Sequence, residues 1–592
     1  MKKGKVIISM LLAGAMAFSS AACANQNANN ANPADASSAP PAASSEPAKS
    51  TDAATPEAPP AADLPEGVNP LLSPDKPVTL SVFVTSSNSA PAPDNKLTKK
   101  ILEELGVTIT YDIVTPDNVD QKIGVMLAGG EYPDLVGTTD LKMRLLEGGA
   151  LIKLDDYLNS GKYPNLSEYV GPYYKRMSYL GDAIENGIYI FPNFNRYFGE
   201  VTSGEYQGAG FFIQKRVLED AGYPDLSNMT LEKYFGLIED YLAKNPMTEG
   251  QPTIGFETVA PKGSEWIMTN PPALLAGSPN NGGVIVDSNN VAAIYADKQA
   301  SHDYFKFLNA EYAKGIVDPE SFTQTHDQFL AKIATGRVLG MHEQAWNFGQ
   351  ANDSLKSSNQ EQYTYVATMP TYPGVEPYYA DRDVMNINQG FGVSVSSKQP
   401  EIALAFLDTM ASERWQKMLS WGFEGEDYQV GSDGLFTRTP EQRANAVDIT
   451  WMASNRLRAL NDCLPKHNGQ YSDGNAYGPR DQPSEFFAEL HEYDQNFLKA
   501  YNKQTWRQFV NSPPDNPVYY PCWNIGLTEA AQEVNQQMTD AGVQYLPAMI
   551  IDKPENFEKN WDEYVKIIGQ IDVKIYEDEI NAGIQKRIAD WQ

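Results

Sequence analysis

The stretch VTLSVFVTSSNSAPAPDNKLTKKILEELGVTITYDIVT, residues 78–115, decides the fold because its hydrophobic period changes twice. Residues 78–85 form a compact apolar run of strand length. Residues 94–106 then place apolar side chains at helical spacing and end in Gly106, which suits the left-handed turn after a helix. Residues 107–115 alternate apolar and polar side chains, which predicts a second strand.

The alternation of strand and helix patterns continues after residue 115. Residues 117–130 keep apolar side chains on one helical stripe and stop at two glycines. PDLVGT (133–138) is a short strand pattern, and LKMRLLEGG (141–149) is a further helix that ends in glycine. Three such alternations in succession predict a parallel sheet with helices on its faces.

The loops after the first and third strands form the predicted ligand edge of this sheet. Ligands of such sheets bind outside the carboxyl ends of the strands. The segments at these ends are SSNSAP (86–91) and GTTD (137–140). Asn88 and Thr139 are therefore candidate ligand-binding residues.

Later stretches keep the same mixture of strands and helices. Residues 229–246 predict an amphipathic helix with Thr230 as its N-cap. Residues 326–341 read as a helix, a glycine turn and the start of a strand. Residues 390–422 predict a strand, a turn and one long helix that Pro400 begins. The fold class is α/β throughout.

The first 22 residues have the pattern of an export signal. Lysines near the start precede the apolar segment 6–18, and small residues 19–22 follow it. This segment is shorter than the roughly 20 residues that a transmembrane helix needs. Small residues directly before Cys23 resemble a bacterial lipobox, with Ser20 where leucine is usual. We predict a lipoprotein signal peptide at 1–22 and a lipid (palmitate) on Cys23; an ordinary signal peptide with Cys23 incidental is the alternative.

Residues 23–75 predict a disordered tether behind the lipidated cysteine. The segment consists mainly of Ala, Pro, Ser, Asn and acidic residues, and it contains no aromatic residue. Such a composition cannot bury enough apolar surface to offset the ordering of its backbone. A lipid on Cys23 would thus hold a soluble body near a membrane surface.

Composition limits the partners of the remaining body. With 46 basic and 76 acidic residues the formal charge is −30, which disfavours nucleic acid as a partner. The body from residue 76 to residue 592 is too long for one simple core and suggests two lobes. Cys463 and Cys522 either pair outside the cell or remain two buried thiols.

Several pieces of the body resemble one family in their order and spacing over roughly 500 residues. They are ENGIYIFPNFN (185–195), FFIQKRVLEDAGYPDLSNMTLEKY (211–234), ATGRVLGMHEQAW (334–346), GFGVSVSSKQPEIALAFLD (390–408), WGFEGEDYQVGSDGLFTRT (421–439) and NWDEYVKIIGQI (560–571). The chain resembles the large lipid-anchored extracellular solute-binding proteins of ABC importers of Gram-positive bacteria, which are related to the maltose-binding type.

This resemblance implies a two-lobed periplasmic-binding-protein-like fold of type II. Each lobe is expected to be a mixed sheet flanked by helices, with the ligand cleft between the lobes. Lobe 1 would hold residues 76–195 and about 388–427, and lobe 2 would hold 198–386 and much of 428–592. Gln389 would then lie at the second crossing between the lobes.

The resemblance also implies a function and a location. The protein would capture a solute outside the cell and deliver it to the subunits of an ABC permease. It would act as a monomer, anchored by lipid to the outer face of the cytoplasmic membrane. A non-transport adhesion or scaffold protein is an alternative of a different class.

One departure from the family concerns calcium. Many of its members carry a D-x-N-x-D-G calcium loop after the helix that here ends near Lys244. This chain has NPMTEGQPTIGF (245–256) there, with Glu249 as the single carboxylate. Calcium takes six to eight oxygen ligands, several of them carboxylates. We therefore predict no calcium at this loop, and we expect no cofactor.

Motifs of catalysis are missing from the sequence. It contains no G-x-S-x-G, G-x-x-x-x-G-K, C-x-x-C or H-E-x-x-H pattern, and His342-Glu343 lacks the second histidine of a zinc motif. The remaining enzyme alternative is a cell-surface glycosidase, which needs only two carboxylates. Glu424, Glu426 and Asp427 are its candidates, although a solvated acidic loop explains them equally. We expect a binding protein and not an enzyme.

The predicted ligand is an oligosaccharide. Sugar rings present apolar faces and hydroxyl edges, so their sites combine flat aromatic rings with amides and charged groups. Trp266, Trp346, Trp421 and Trp523 lie in or beside predicted loops, although aromatic residues are usually core. Peptide or lipid-like ligands remain open. The predicted ligand-binding residues are Asn88, Thr139, Trp266, Trp346, Gln389 and Trp421.

Overall fold

Two mixed β-sheets, each flanked by helices, form the framework of the protein. The computed structural model describes residues 64–138, 142–178, 184–193, 195–200, 202–380 and 389–591. Thr139, Cys23, the predicted signal peptide and the tether up to residue 63 lie outside these residues.

The strands are short and are spread over the whole described chain. They are β1 (Val78–Thr85), β2 (Val107–Val114), β3 (Leu135–Thr138), β4 (Ile190–Pro192), β5 (Asn195–Phe198), β6 (Ala209–Gln214), β7 (Met247–Thr248), β8 (Gln251–Pro252), β9 (Ile254–Glu257), β10 (Val284–Val286), β11 (Ala292–Ile294), β12 (Val338–Gln344), β13 (Tyr365–Thr368), β14 (Gly390–Val393), β15 (Gln429–Val430), β16 (Phe436–Thr437) and β17 (Lys466–Gly469).

The helices cover both sheets and dominate the C-terminal part. They are α1 (Lys96–Leu105), α2 (Val119–Gly129), α3 (Lys142–Glu147), α4 (Asp155–Asn159), α5 (Pro164–Val170), α6 (Tyr174–Ser178), α7 (Lys215–Asp220), α8 (Leu231–Lys244), α9 (Trp266–Thr269), α10 (Pro271–Leu275), α11 (Gln299–Ala313), α12 (His326–Ala334), α13 (Ala345–Ser357), α14 (Pro400–Met410), α15 (Glu413–Ser420), α16 (Pro440–Val447), α17 (Ile449–Asn455), α18 (Arg458–Asn461), α19 (Pro483–Glu489), α20 (Glu492–Ala500), α21 (Glu529–Ile551), α22 (Phe557–Ile568) and α23 (Val573–Trp591).

The first sheet has the strand order β2-β1-β3-β14-β4. Strand β1 runs parallel to β2 and β3, whereas β14 is antiparallel to β3 and β4. Val82 and Val84 of β1 pack into one core, and Phe83 packs into the core on the opposite face. Helices therefore cover both faces, which explains the continuous apolar run at residues 78–85. The α/β prediction is confirmed, and the sheet is mixed.

The second sheet has the strand order β13-β6-β12-β9. Strand β12 is antiparallel to β6 and parallel to β9, and β13 is antiparallel to β6. Phe211 and Ile213 face a large core that also includes Ile550 and Ile584 of the C-terminal helices. Phe212 faces a smaller core beneath α12 and α13. The C-terminal helices are thus part of the second core.

A ribbon of two strands lies on the connections between the sheets. Strand β5 follows β4 of the first sheet, precedes β6 of the second, and pairs in parallel with β17. Between residue 427 and β17, however, Leu457, Leu460 and Leu464 pack into the first core. The first sheet's share of the chain therefore extends beyond the boundary near residue 427 that the family resemblance implied.

The predicted tether ends earlier than residue 75. Val68 and Leu72 are buried against the first core. Asn69 donates from its side chain to Asp408 Oδ2 at 2.9 Å, and its backbone N–H donates to Thr409 Oγ1 at 3.0 Å. Residues 68–72 are therefore ordered, because two apolar side chains and a buried amide offset the cost of fixing this short segment. The composition-based boundary at residue 75 is wrong.

The long helix predicted after Pro400 is interrupted. Helix α14 ends at Met410, and Ser412 has an extended backbone with φ −70° and ψ 150° before α15 begins at Glu413. The Ser412 hydroxyl donates to Thr409 O at 2.7 Å and satisfies a carbonyl at the end of α14. Serine competes in this way with the helix for its own backbone groups, which the apolar period alone does not reveal.

The two cysteines of the body are buried and unpaired. Cys463 packs in the first core and Cys522 in the second. The alternative of two buried thiols therefore holds. Among the described helices, none is both long enough and apolar enough to pass through a membrane.

The junction between β12 and α13 carries two buried titratable side chains. His342 Nδ1 donates to Ile267 O at 2.9 Å, and burial lowers the pKa of His342 to about 4. Glu343 accepts from Gln344 N at 2.7 Å and from Asn347 Nδ2 at 3.2 Å. Burial nevertheless raises the pKa of Glu343 to about 8. His326 Nε2 lies 3.9 Å from Glu343 Oε2, and burial lowers the pKa of His326.

We expect Glu343→Gln to change how the free energy of unfolding depends on pH between about pH 5 and pH 8. The folded protein keeps the Glu343 proton up to about pH 8, whereas an unfolded glutamate releases it near pH 4.3. The folded state therefore binds more protons in this window, and this group lowers stability as the pH rises. Because glutamine does not ionise, the stability of the variant relative to the wild type should increase with pH.

Urea unfolding of both proteins at several pH values measures this difference. Glu441→Gln, at an exposed position in the first turn of α16, is the matched control and should follow the wild type. His342 is present in all three proteins, so its contribution to the pH dependence of stability cancels in the comparison. Parallel stability curves for Glu343→Gln and the wild type would contradict the prediction.

Candidate functional site

A cavity of about 1030 Å³ lies where the second sheet meets the C-terminal helices. Its walls come from the loop before β6, from α9, from the junction of β12 and α13, and from β17, α21, α22 and α23. Binding sites for small molecules usually measure about 300–1,000 Å³. This cavity is at the upper end and suits a ligand of several linked units.

Two indole rings lie nearly parallel on one wall of the cavity. Trp266 begins α9 and Trp346 is the second residue of α13. Their ring centroids are 6.3 Å apart and their planes differ by 21°. Trp346 is 61% exposed although it is a large apolar side chain. An aromatic face left open inside a concave surface indicates a binding role more than a packing role.

Strand β12 places both rings. The bond from His342 to Ile267 O ties the strand to the residue after Trp266. Beyond the end of β12, Ala345 N donates to Gly208 O at 3.0 Å, one residue before Trp346. The two indoles are thus held by buried groups on opposite sides of the same strand end.

A third tryptophan, Trp523, lines the cavity from the loop 519–524. It is 53% exposed. Arg587 of α23 donates to the carbonyls of Tyr519 at 2.8 Å, Pro521 at 2.6 Å and Asn524 at 3.1 Å. Cys522 N donates to Asn281 Oδ1 at 3.0 Å, which fixes the loop from the other side. Trp523 is therefore presented by a loop whose backbone is held in place.

The remaining lining is rich in uncharged hydrogen-bonding groups. Its amide side chains are Gln207, Asn270, Asn280, Gln344, Asn468 and Asn535, and its hydroxyl side chains include Ser203, Thr269 and Thr539. Amides both donate and accept, as hydroxyl groups of a ligand require. The charged lining residues among those described are Glu205, Glu265, Asp481 and Arg507.

Of the predicted site residues, Trp266 and Trp346 come together in this cavity, whereas Asn88 and Gln389 do not line it. Asn88 Nδ2 donates to Asp462 Oδ2 at 3.1 Å, and Asn193 Nδ2 donates to Asp462 O at 2.6 Å. Asn193 N donates to Gln389 O at 3.0 Å. These residues form a separate polar group at the carboxyl edge of the first sheet. Thr139 lies outside the described residues.

Trp421 is a core residue in this structure. It is 1% exposed and packs with Tyr428 and Phe436. Its Nε1 donates to Ala476 O at 2.9 Å. The ring is therefore packed, and its N–H is hydrogen-bonded, inside the protein. Helix α15 ends at Ser420, and the turn that follows directs the indole inward. Trp421 therefore does not line the cavity that Trp266 and Trp346 share.

The candidate carboxylates of a glycosidase do not line the cavity. Glu426 forms an ion pair with Lys96 near the surface. Asp427 is buried, accepts from Phe423 N at 2.9 Å and pairs with Arg456 Nη1 at 3.3 Å. Glu424 is exposed beside them. Of these side chains, Asp427 holds the turn 421–428 together.

The loop in place of a family calcium site is a small hairpin of β7 and β8. Glu249 accepts from Tyr363 Oη at 2.9 Å. Among the described residues, no group of three or more His, Cys, Asp or Glu side chains is arranged to hold a metal ion. The absence of calcium at this loop remains a prediction.

Sequence reasoning missed the amide lining. Gln207, Asn270 and Asn280 lie in or beside turns, and Asn535 lies on the amphipathic helix α21. Nothing in a single sequence distinguishes a turn amide that faces a cavity from one that faces solvent. The sequence does carry a signal for Trp523, because the stretch YYPCWN has neither a helical nor a strand period around this aromatic residue.

Comparisons with known proteins add to this geometry. The family model described as bacterial extracellular solute-binding protein matches residues 96–422, which is more than half of the chain. The fructooligosaccharide ABC transporter substrate-binding protein FusA of Streptococcus pneumoniae is 24% identical over 362 residues, or 59% of this chain. The match spans 64% of the length of that curated relative.

Solved structures share the fold. An extracellular solute-binding protein from Bifidobacterium longum subsp. infantis aligns with a TM-score of 0.55 and 16% identity, over 87% of this chain and 99% of its own. The HMO binding ABC-transporter associated solute binding protein of Bifidobacterium longum infantis aligns with a TM-score of 0.53 and 16% identity, over 86% and 99%. On the family match, the chain belongs to the bacterial extracellular solute-binding proteins.

Proposed function

We propose that the protein captures an oligosaccharide in the cavity of about 1030 Å³ and delivers it to the permease subunits of an ABC transporter. The observation that carries this proposal is the combination of Trp266, Trp346 and Trp523 with an amide-rich lining. Pyranose and furanose rings offer an apolar face for an indole and a rim of hydroxyl groups for amides. A cavity of this size accepts several such rings.

The relatives support this class of ligand. FusA is named for fructooligosaccharides, and the structural neighbour from Bifidobacterium longum infantis is titled as an HMO binder. Both names also refer to an ABC transporter. Binding of a peptide or of a lipid-like molecule, with no glycan bound in the screen, would contradict the proposal.

The proposed binding cycle uses both sheets. The first lobe, residues 68–195 with about 388–427 and the stretch around 457–464, would close on the second, residues 198–386 with much of the remaining C-terminal part. Asn88, Thr139 and Gln389 would then approach a ligand from the first lobe, opposite the tryptophans. A ligand shifts such an open–closed equilibrium only as far as it prefers the closed form.

The proposed location is the outer face of the cytoplasmic membrane. Membership of an extracellular family agrees with export, and the N-terminal sequence supports a signal peptide at 1–22 and a lipid on Cys23. The protein would work there as a monomer, with the segment after Cys23 as its tether.

Replacement of the lipidated cysteine tests the anchor. We expect Cys23→Ala to release the protein into the medium, or to leave it uncut in the membrane, because the acyl chain can no longer be attached. Fractionation and the mass of the mature N-terminus measure this. A correctly processed variant that stays on the membrane like the wild type would refute the lipid anchor and leave the ordinary signal peptide as the explanation.

We expect Trp346→Ala to weaken oligosaccharide binding while the melting temperature without ligand stays nearly unchanged. Ring stacking on an aromatic side chain contributes on the order of 1 to 3 kcal/mol, which corresponds to roughly a 5- to 150-fold change in Kd. Trp346 is largely exposed, so its loss removes little packing. A thermal-shift screen of the full chain against a glycan library identifies the ligand, and calorimetry measures Kd.

Trp346→Phe is the matched control, because it keeps an aromatic face at the same position. It should retain most of the affinity that Trp346→Ala loses. Normal affinity together with a large drop in melting temperature for Trp346→Ala would make this side chain structural and would contradict the placement of the site.

The proposal predicts that the ligand leaves unaltered. Glu424, Glu426 and Asp427 do not line the cavity, which supports binding without catalysis. Incubation of the identified oligosaccharide with the pure protein should therefore produce no new reducing ends. New reducing ends that disappear in Glu424→Gln would establish a glycosidase instead.

A further inference from the structure

The charged side chains around the cavity are mostly acidic. Among the described lining residues, Glu205, Glu265 and Asp481 carry carboxylates, and Arg507 carries a guanidinium. No lysine is among the described lining residues of the cavity. Beside the tryptophans the cavity therefore offers uncharged amides and negative charge.

Arg507 is committed to groups of the protein. Its Nη1 donates to Asn511 O at 2.7 Å and to Val510 O at 3.4 Å. The guanidinium also lies 5.9 Å from the centre of the Tyr206 ring. These contacts leave its positive charge in place, so the described lining carries three carboxylates against one guanidinium.

Two of the carboxylates are placed to act on a ligand. Glu265 precedes Trp266 directly, and one oxygen of its carboxylate accepts a hydrogen bond from Gly263 N. Glu205 lies in the loop before β6, and no described side chain donates a hydrogen bond to its carboxylate. Glu205 is exposed in the wall of the cavity. An anion bound beside this carboxylate would meet a charge of the same sign.

The nearby basic residues line a second, smaller cavity. A smaller cavity of about 250 Å³ shares Glu205, Tyr206 and Gln207 with the large one. Lys215, Lys356 and Arg480 line only this smaller cavity, and Lys215 is already paired with Asp494 at 2.6 Å. Among the described residues they provide no cation to the wall that holds the tryptophans.

We propose that the large cavity selects neutral oligosaccharides and rejects oligosaccharides whose sugar units carry carboxylates. The inference rests on the proposed function and specifies the charge class of its ligand. Rejection by like charge is an effective means of specificity, because it penalises the wrong ligand without strengthening the right one. The formal charge of −30 acts in the same direction by slowing the approach of anions at low salt.

Matched pairs of oligosaccharides test the proposal with the full chain. The probes are malto-, cello- and fructo-oligosaccharides of equal length, each in its neutral form and with primary hydroxyl groups oxidised to carboxylates. Both forms keep the sugar rings, so stacking is similar. For each backbone that binds, the carboxylated form should bind at least roughly 10-fold more weakly at low salt, as expected for like charges within about 10 Å at an effective dielectric constant of about 20.

Charge removal then identifies the residues responsible. Glu205→Gln and Glu265→Gln should each narrow the ratio between the affinities for the neutral and the carboxylated probe several-fold, because each removes one negative charge from the lining. Glu533→Gln is the matched control, because Glu533 is exposed on α21 and does not line the cavity. An increase in salt should narrow the difference between the two probes in the wild type.

The outcomes separate this inference from the proposed function. Equal or tighter binding of a carboxylated probe would overturn the charge selection and leave oligosaccharide capture intact. Unchanged discrimination in both glutamate variants would also overturn it. If no oligosaccharide of either charge binds the folded protein, the proposed function fails and the charge selection fails with it.

Discussion

The hydrogen bond from His342 to Ile267 O is the interaction on which the cavity depends. It joins the inner strand of the second sheet to the helix that begins with Trp266. The strand ends two residues before Trp346, so the same backbone determines the positions of both indoles. The bond needs only the proton on Nδ1, and burial keeps the imidazole neutral over the range in which proteins normally work.

Much of the cavity is built by sequence outside the segment that defines the family. The family model ends at residue 422, whereas Asn468, Trp523, Asn535 and Tyr576 all line the cavity. The shared segment supplies the second sheet, the strands of the first sheet other than β1, and the pair Trp266 and Trp346. The C-terminal helices complete the second core and form part of the cavity wall. Such a division lets the ligand preference change while the framework stays the same.

The elements that could be predicted from the sequence are those with one clear buried face or a distinct cap. Helix α1 ends at Gly106 in the left-handed conformation, and Thr230 caps α8 by accepting from Lys233 N, both as expected. The interruption at Ser412 depends on one local side-chain bond, which the apolar period does not contain. Trp346 and Trp421 look alike in sequence, since each lies at the edge of a helix. Only the packing of distant segments decides that Trp421 is enclosed and Trp346 is open.

Arg587, whose hydrogen bonds fix the loop 519–524, is synthesised later than the loop itself. The carbonyls that it holds belong to residues 63 to 68 positions earlier in the chain. During synthesis the loop therefore emerges from the ribosome long before the side chain that fixes it. The wall that carries Trp523 can take its final form only after α23 has been synthesised and has docked.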